Sequence, residues 1–138
     1  MVLSLACNGP TGFFSGGRLD GEVTPIPEGW ALTESRGVGQ LETQPDDPYS
    51  VNIAYTIIEG SLFINAGDTE TNWVQNIAAN PSVRLRVGDA IYLAEAQRVT
   101  DRPTIEEFGR AWTAQSSFYR DPAELDEVWI YRLVAPAP

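Results

Sequence analysis

The ten residues from Tyr49 to Ile58 limit the choice of fold more than any other stretch. Val51, Ile53, Tyr55 and Ile57 fall on one side, and Asn52, Ala54, Thr56 and Ile58 on the other. A period of two, rich in β-branched and aromatic side chains, specifies a strand with one buried face. Glu59-Gly60 turns the chain, and Ser61 to Asn65 returns as a hairpin partner. The pattern recurs at Ser82–Val87, with Val83, Leu85 and Val87 inward and Arg84 and Arg86 outward. There Gly88-Asp89 makes the turn and Ala90 to Val99 is the partner. Val38 to Thr43 and Val128 to Val134 supply two further strands. Trp129, Tyr131 and Leu133 share a face of the last one.

Between the hairpins, Ala66-Gly67-Asp68 breaks the strand. Asp68, Thr69 or Thr71 can cap a helix running to about Asn80, with Trp73, Val74, Ile77 and Ala78 as its apolar face. Asn80-Pro81 stops it. Thr104-Ile105-Glu106-Glu107 has the form of a capping box, opening a helix to about Ser116 that buries Ile105, Phe108, Ala111 and Trp112. Residues 118–127 form a loop containing Asp121-Pro122. These elements predict a mainly β (α+β) domain over residues 30–135, a six-stranded, mostly antiparallel β-barrel with two short helices covering its ends. Residues 1–29, rich in Gly and Pro, are predicted to be a tether that lies across the domain surface and is anchored by Trp30 and Leu32.

Composition removes several functions. The 138 residues hold 19 acids, nine arginines, no lysine and no histidine, for a formal charge of −10. Such a balance opposes binding to nucleic acid or to an anionic membrane surface. Without histidine there is no histidine triad, shuttle or metal ligand, and no oxygen-ligand spacing supports a metal. The single Cys7 excludes an internal disulfide. Leu5-Ala6-Cys7 looks like the end of a bacterial lipoprotein signal, though Ser4 departs from the usual branched residue. A free thiol near a terminus is the alternative reading.

The order of elements resembles the pyridoxamine 5'-phosphate oxidase-like, FMN-binding split-barrel family. Trp73-Val74-Gln75-Asn76-Ile77-Ala78-Ala79-Asn80-Pro81-Ser82-Val83-Arg84-Leu85 is similar to the W-x-x-N-L-x-A-N-P-x-V-x-V segment of its deazaflavin (F420) branch. The likeness covers about residues 38–134 and implies that the barrel is a six-stranded antiparallel split β-barrel. Uncharacterised bacterial lipoproteins of this fold also resemble the chain at Gly16–Gly21 and at Leu41–Asn52.

The resemblance implies a homodimer with FMN or F420 in the groove between barrels, acting as an oxidoreductase on a small organic substrate. It implies that the flavin ring rests on the backbone of Ser50–Ala54 and that the phosphate lies between Asn65 and Trp73. The cofactor-binding candidates are therefore Asn52, Ala54, Asn65, Gly67, Thr69, Thr71, Trp73, Arg84 and Arg86, with no catalytic residue identified. The stretch from Asn65 to Trp73 carries Asp68 and Glu70 and no base, and each close acid would repel a phosphate by about 1 kcal/mol. Arg84 and Arg86 read either as an anion site or as a solvated face paired with acids such as Glu95. Trp112, Phe118, Tyr119, Trp129 and Tyr131 read as core or dimer interface.

A second reading is a non-catalytic cell-envelope lipoprotein that has lost the cofactor. A related one is an accessory subunit docked on a membrane complex through residues 8–29. Anchoring at Cys7 would place the protein in the cell envelope; without it, the cytoplasm is expected.

Overall fold

The structure, a computed structural model, describes residues 9–11, 14–67 and 70–137. Cys7 and the anchor expected there lie outside the described residues. The strands are β1 (Glu22–Val23), β2 (Arg36–Thr43), β3 (Tyr49–Ile58), β4 (Ser61–Asn65), β5 (Ser82–Val87), β6 (Ala90–Arg98) and β7 (Ile130–Val134). Helix α1 spans Asn72–Ala79 and α2 spans Arg102–Thr113; 3-10 turns cover Glu28–Trp30 and Pro122–Glu124.

Strands β6-β5-β2-β3-β4-β7 form one antiparallel sheet, and β7 pairs back onto β6 to close it. The six-stranded barrel with two helices is thus what the strand pattern predicted, and its split form is what the resemblance implied. β1 is added outside it, parallel to β6. The inward rows meet in register, with Leu41 opposite Leu85 and Leu62 opposite Leu133, all almost fully buried. The expected inward faces of β3 and β5 both enter this core, together with Tyr92, Ala94 and Ala96 of β6. β2 and β5 approach closely at Gly39, where a Cβ would stand 2.8 Å from the Arg86 carbonyl oxygen.

The barrel is split because β3 is twice as long as its partner. β4 pairs only with Tyr55–Ile58, so the first half of β3 is paired through β2 alone in the barrel. α1 packs against the interior core through Trp73, Val74 and Ile77. Its Asn76 Nδ2 donates to Thr43 Oγ1 at 3.0 Å, which ties the helix to β2. Ala78, expected on the apolar face, is exposed, because so short a helix meets the barrel along a single line.

α2 covers the outer side. Ile105 and Phe108 pack on Phe63, Val99 and Ile130, a second core on the reverse face of β4 and β7. Its start differs from the expected capping box. Asp101 is the cap, and its carboxylate accepts from both the backbone N–H and the hydroxyl of Thr104. Pro103, lacking an N–H, suits the first turn and brings Thr104 under Asp101. The Thr104 hydrogen bonds hold the Asp101 carboxyl below its ordinary pKa. The residues expected to form a tether run along the barrel from Gly16 onward, and Trp30 reaches the core, its Nε1 donating to the Leu133 carbonyl at 3.0 Å.

Two outcomes follow from this packing. Leu85→Ala removes the centre of the inward row and should cost about 2–5 kcal/mol in urea unfolding; a loss below about 1 kcal/mol would contradict a packed interior. Burial raises the pKa of Tyr55, with Glu34 and Tyr92 adding to the shift. Burial also raises that of Tyr131, with Arg98 opposing and Glu70 adding. A phenol that ionises less readily folded than unfolded contributes stability that is full below its unfolded value. That stability is lost as pH rises through the folded one. Stability should therefore fall above about pH 10, and Tyr131→Phe should flatten that limb; an unchanged limb would dismiss Tyr131 as its source.

Candidate functional site

Where β4 leaves the barrel and α1 begins, the chain makes a corner. A cavity of about 440 Å³ opens there, lined on one side by Asn65, Ala66, Gly67, Thr71 and Trp73. The loop after α2 closes the other side with Trp112, Phe118, Tyr119, Arg120, Pro122 and Leu125. The walls are mostly apolar and the polar groups gather near the corner, the usual make-up of an organic-ligand site.

Each wall is held by a different part of the fold. Trp73 is fixed from below by an edge-on contact with Tyr131, ring centres 5.8 Å apart. Trp112 stacks on Phe108 on one side, at 5.9 Å, and on Tyr119 on the other, at 4.2 Å. This three-ring column runs from the outer core to the cavity, so the flat wall is rigid. Phe118, 92% exposed, stands at its lip. Asp121 caps the turn at Pro122–Glu124, accepting from the Ala123 N–H at 2.9 Å. The turn lies against α2 at Gly109, where a Cβ would sit 2.2 Å from Asp121 Oδ1.

The corner offers two groups to a ligand. Thr71 Oγ1 is buried and, among the described residues, has no hydrogen-bond partner. Such an atom costs free energy unless a ligand or water satisfies it. Gly67 has φ +73°, with open space where a Cβ would be, so its backbone is accessible to a ligand. Among the described residues, the lining holds no histidine, cysteine or carboxylate. Its chemical capacity is to bind and orient a group that reacts by itself.

The nine candidate residues divide among several places. Asn65, Gly67, Thr71 and Trp73 meet in this cavity; Thr69 lies outside the described residues. Asn52 and Arg86 line a separate shallow recess with Gln40, where Gln40 Nε2 donates to Asn52 Oδ1 at 3.4 Å and Arg86 Nη1 donates to Gln40 Oε1 at 3.3 Å. Ala54 is half-buried on β3 opposite Val38. Arg84 pairs with Glu42 on the outer face of the sheet, its Nη1 2.8 Å from Glu42 Oε1.

Sequence reasoning missed Arg120. It found no base between Asn65 and Trp73, yet Arg120 reaches the cavity from a loop some fifty residues away. Its only local signal is its place beside Phe118-Tyr119, aromatics read there as core or interface. The structure puts both aromatics, with Trp112, at the cavity.

The cavity at the mouth of the split barrel, walled by aromatics with a polar corner, has the make-up of a site for a flat organic ligand. The family model for F420H(2)-dependent quinone reductase matches residues 52–128, more than half of the chain. The chain belongs to that family, and so to the flavin- or deazaflavin-binding proteins of oxidoreductase type. The resemblance read from Trp73 to Leu85 is borne out.

A candidate pyridoxamine 5'-phosphate oxidase from Listeria innocua superimposes with a TM-score of 0.55 at 20% identity, over 70% of this chain and 82% of that one. A NimC/NimA family protein from Clostridium acetobutylicum gives 0.56 at 18% identity, over 71% of each chain. At such identities the likeness concerns the fold. No protein of curated function matches the chain.

Gly109→Ala tests how the cavity wall is held. The new methyl should displace the Asp121 carboxylate while favouring the helix, leaving unfolding free energy within about 1 kcal/mol of the parent. Amide exchange at Ala123, Glu124 and Leu125 should quicken; unchanged exchange there would mean that Asp121 does not hold the loop.

Proposed function

We propose that this protein binds reduced F420 in the cavity between the β4–α1 corner and the loop after α2, for hydride transfer to a quinone-type acceptor. The observation that carries the reading is the buried Thr71 hydroxyl, without a partner among the described residues, at the polar end of an aromatic-walled cavity, in a chain of this family. Thr71 Oγ1, the Gly67 backbone and Arg120 would hold the anionic side of the cofactor. Trp73 and the Trp112–Tyr119 stack would bound its rings and exclude water. The bound deazaflavin would supply the hydride; the protein supplies position and a dry apolar wall. FMN shares the flat tricycle and the phosphate, and family membership favours F420 over it.

We also propose a homodimer. Its support is apolar surface that a barrel leaves to a neighbour, with Val38 72% exposed on β2 and Phe118 at the cavity lip.

Titration of the purified protein with F420 and with FMN, read by absorbance and fluorescence, is the test, with sedimentation at the same concentrations giving the assembly. Saturable F420 binding is expected, and a soluble naphthoquinone should then reoxidise bound F420H2. Thr71→Val should weaken F420 about 5- to 30-fold, the worth of one or two kcal/mol, while Thr71→Ser retains binding. If neither cofactor binds, this proposal ends; FMN binding alone would end the choice of F420.

A further inference from the structure

The segment from Gly16 to Thr24 crosses the outer face of the sheet, over β3, β2, β5 and β6. It starts at Ser50: Gly16 and Ser50 exchange two backbone hydrogen bonds of 2.8 Å each. It ends beside β6, where the Glu22 N–H donates to the Asp89 carbonyl and the Thr24 N–H to that of Ile91, both at 2.8 Å. In between, Leu19 is 1% exposed, and both of its peptide groups are gripped by a charge pair. Its N–H donates to Glu42 Oε1 at 2.7 Å, and its carbonyl accepts from Arg84 Nη1 at 3.2 Å. The same two atoms of the pair meet each other at 2.8 Å.

Glu42 and Arg84 are directly opposite one another on β2 and β5 and point away from the barrel interior. On a bare outer face both would be hydrated. The segment covers them, leaving the Glu42 side chain 2% exposed. Desolvating such a pair adds little stability, but it selects one geometry, since any shift of Leu19 leaves a covered charge without its hydrogen bond. Gly21 tightens the fit further, because a Cβ there would meet Ile91 and the Asp89 carbonyl at 2.8 Å.

The segment's strand pairings are nevertheless short, a single bridge and the two-residue β1. The barrel strands are closed by longer ladders. Regions with few backbone ties open locally at lower free energy than the global transition.

We infer that residues 16–24 form a releasable strap whose lock is the Glu42–Arg84 pair, and that its opening bares the β3 edge at Ser50. The lock loses nothing permanently on opening, because both charges return to water as Leu19 leaves. Breaking the pair therefore weakens the strap and spares the barrel.

Amide exchange of the full chain decides the matter without any cofactor. Leu19, Glu22 and Thr24 amides should exchange together and faster than Leu41 and Leu85. Leu19→Ser, which leaves every barrel residue in place, should quicken all three, and the Ser50 amide, by about 10-fold or more. Glu42→Gln should do the same, and combining the two should add little, because both release one unit. Equal acceleration at Leu41 and Leu85 would overturn the proposal, showing a segment integral to the barrel, and so would strap amides as slow as theirs.

Discussion

An antiparallel sheet with an inward apolar row has two edges whose peptide groups need partners, and a closed barrel is the arrangement that removes both. Here the contact between β6 and β7 performs that closure, and the remaining architecture depends on it. With the ring closed, Leu41, Leu62, Leu85 and Leu133 face one another and shed water. The six strands differ in length, so closure is incomplete at one place: the first half of β3 passes beyond the reach of β4. α1 packs into the core near this region, and the corner leading into α1 becomes the cavity.

The cavity is a by-product of two separate cores. Trp73 belongs to the interior core through Tyr131, and Trp112 to the outer core through Phe108. Neither ring can shift without disturbing a packed cluster, so the space between them is held open by both. The polar end, at Thr71 and Gly67, comes from the chain's need to turn from strand to helix. Arg120 is brought to the opposite wall by the loop that returns from α2 to β7.

The outer face shows how register selects among charge partners. Glu95 is near Arg84 in sequence and seemed its natural partner. In the β5–β6 ladder, however, Arg84 stands opposite Leu93 and Glu95 opposite Ser82. On the other flank, β2 places Glu42 directly across from Arg84. Cross-strand pairing therefore links Arg84 with a residue 42 positions away, and the pair then grips Leu19. Residues that looked like a surface tether by composition are thus tied down, because backbone groups in a Gly-rich stretch can bond to a charge pair as readily as to a strand.

Much of the fold was legible in the chain. Alternation over Tyr49–Ile58 and Ser82–Val87, two short turns and the Asn80-Pro81 stop specify strands, hairpins and a helix, because side-chain period and backbone limits are local properties. The segment from Trp73 to Leu85 also carried the family. Four cavity residues, Asn65, Gly67, Thr71 and Trp73, were within reach because they are contiguous with that segment. Arg120, the Trp112–Tyr119 wall, the Asp101 cap and the Leu19 lock were not, since each depends on which distant strand, turn or helix end lies alongside. The sequence by itself determined the strands and their inward faces, through periodicity and turn chemistry. Tertiary structure alone decided which side chains share the cavity and which charges pair, because those depend on ladder register and closure between residues far apart in the chain.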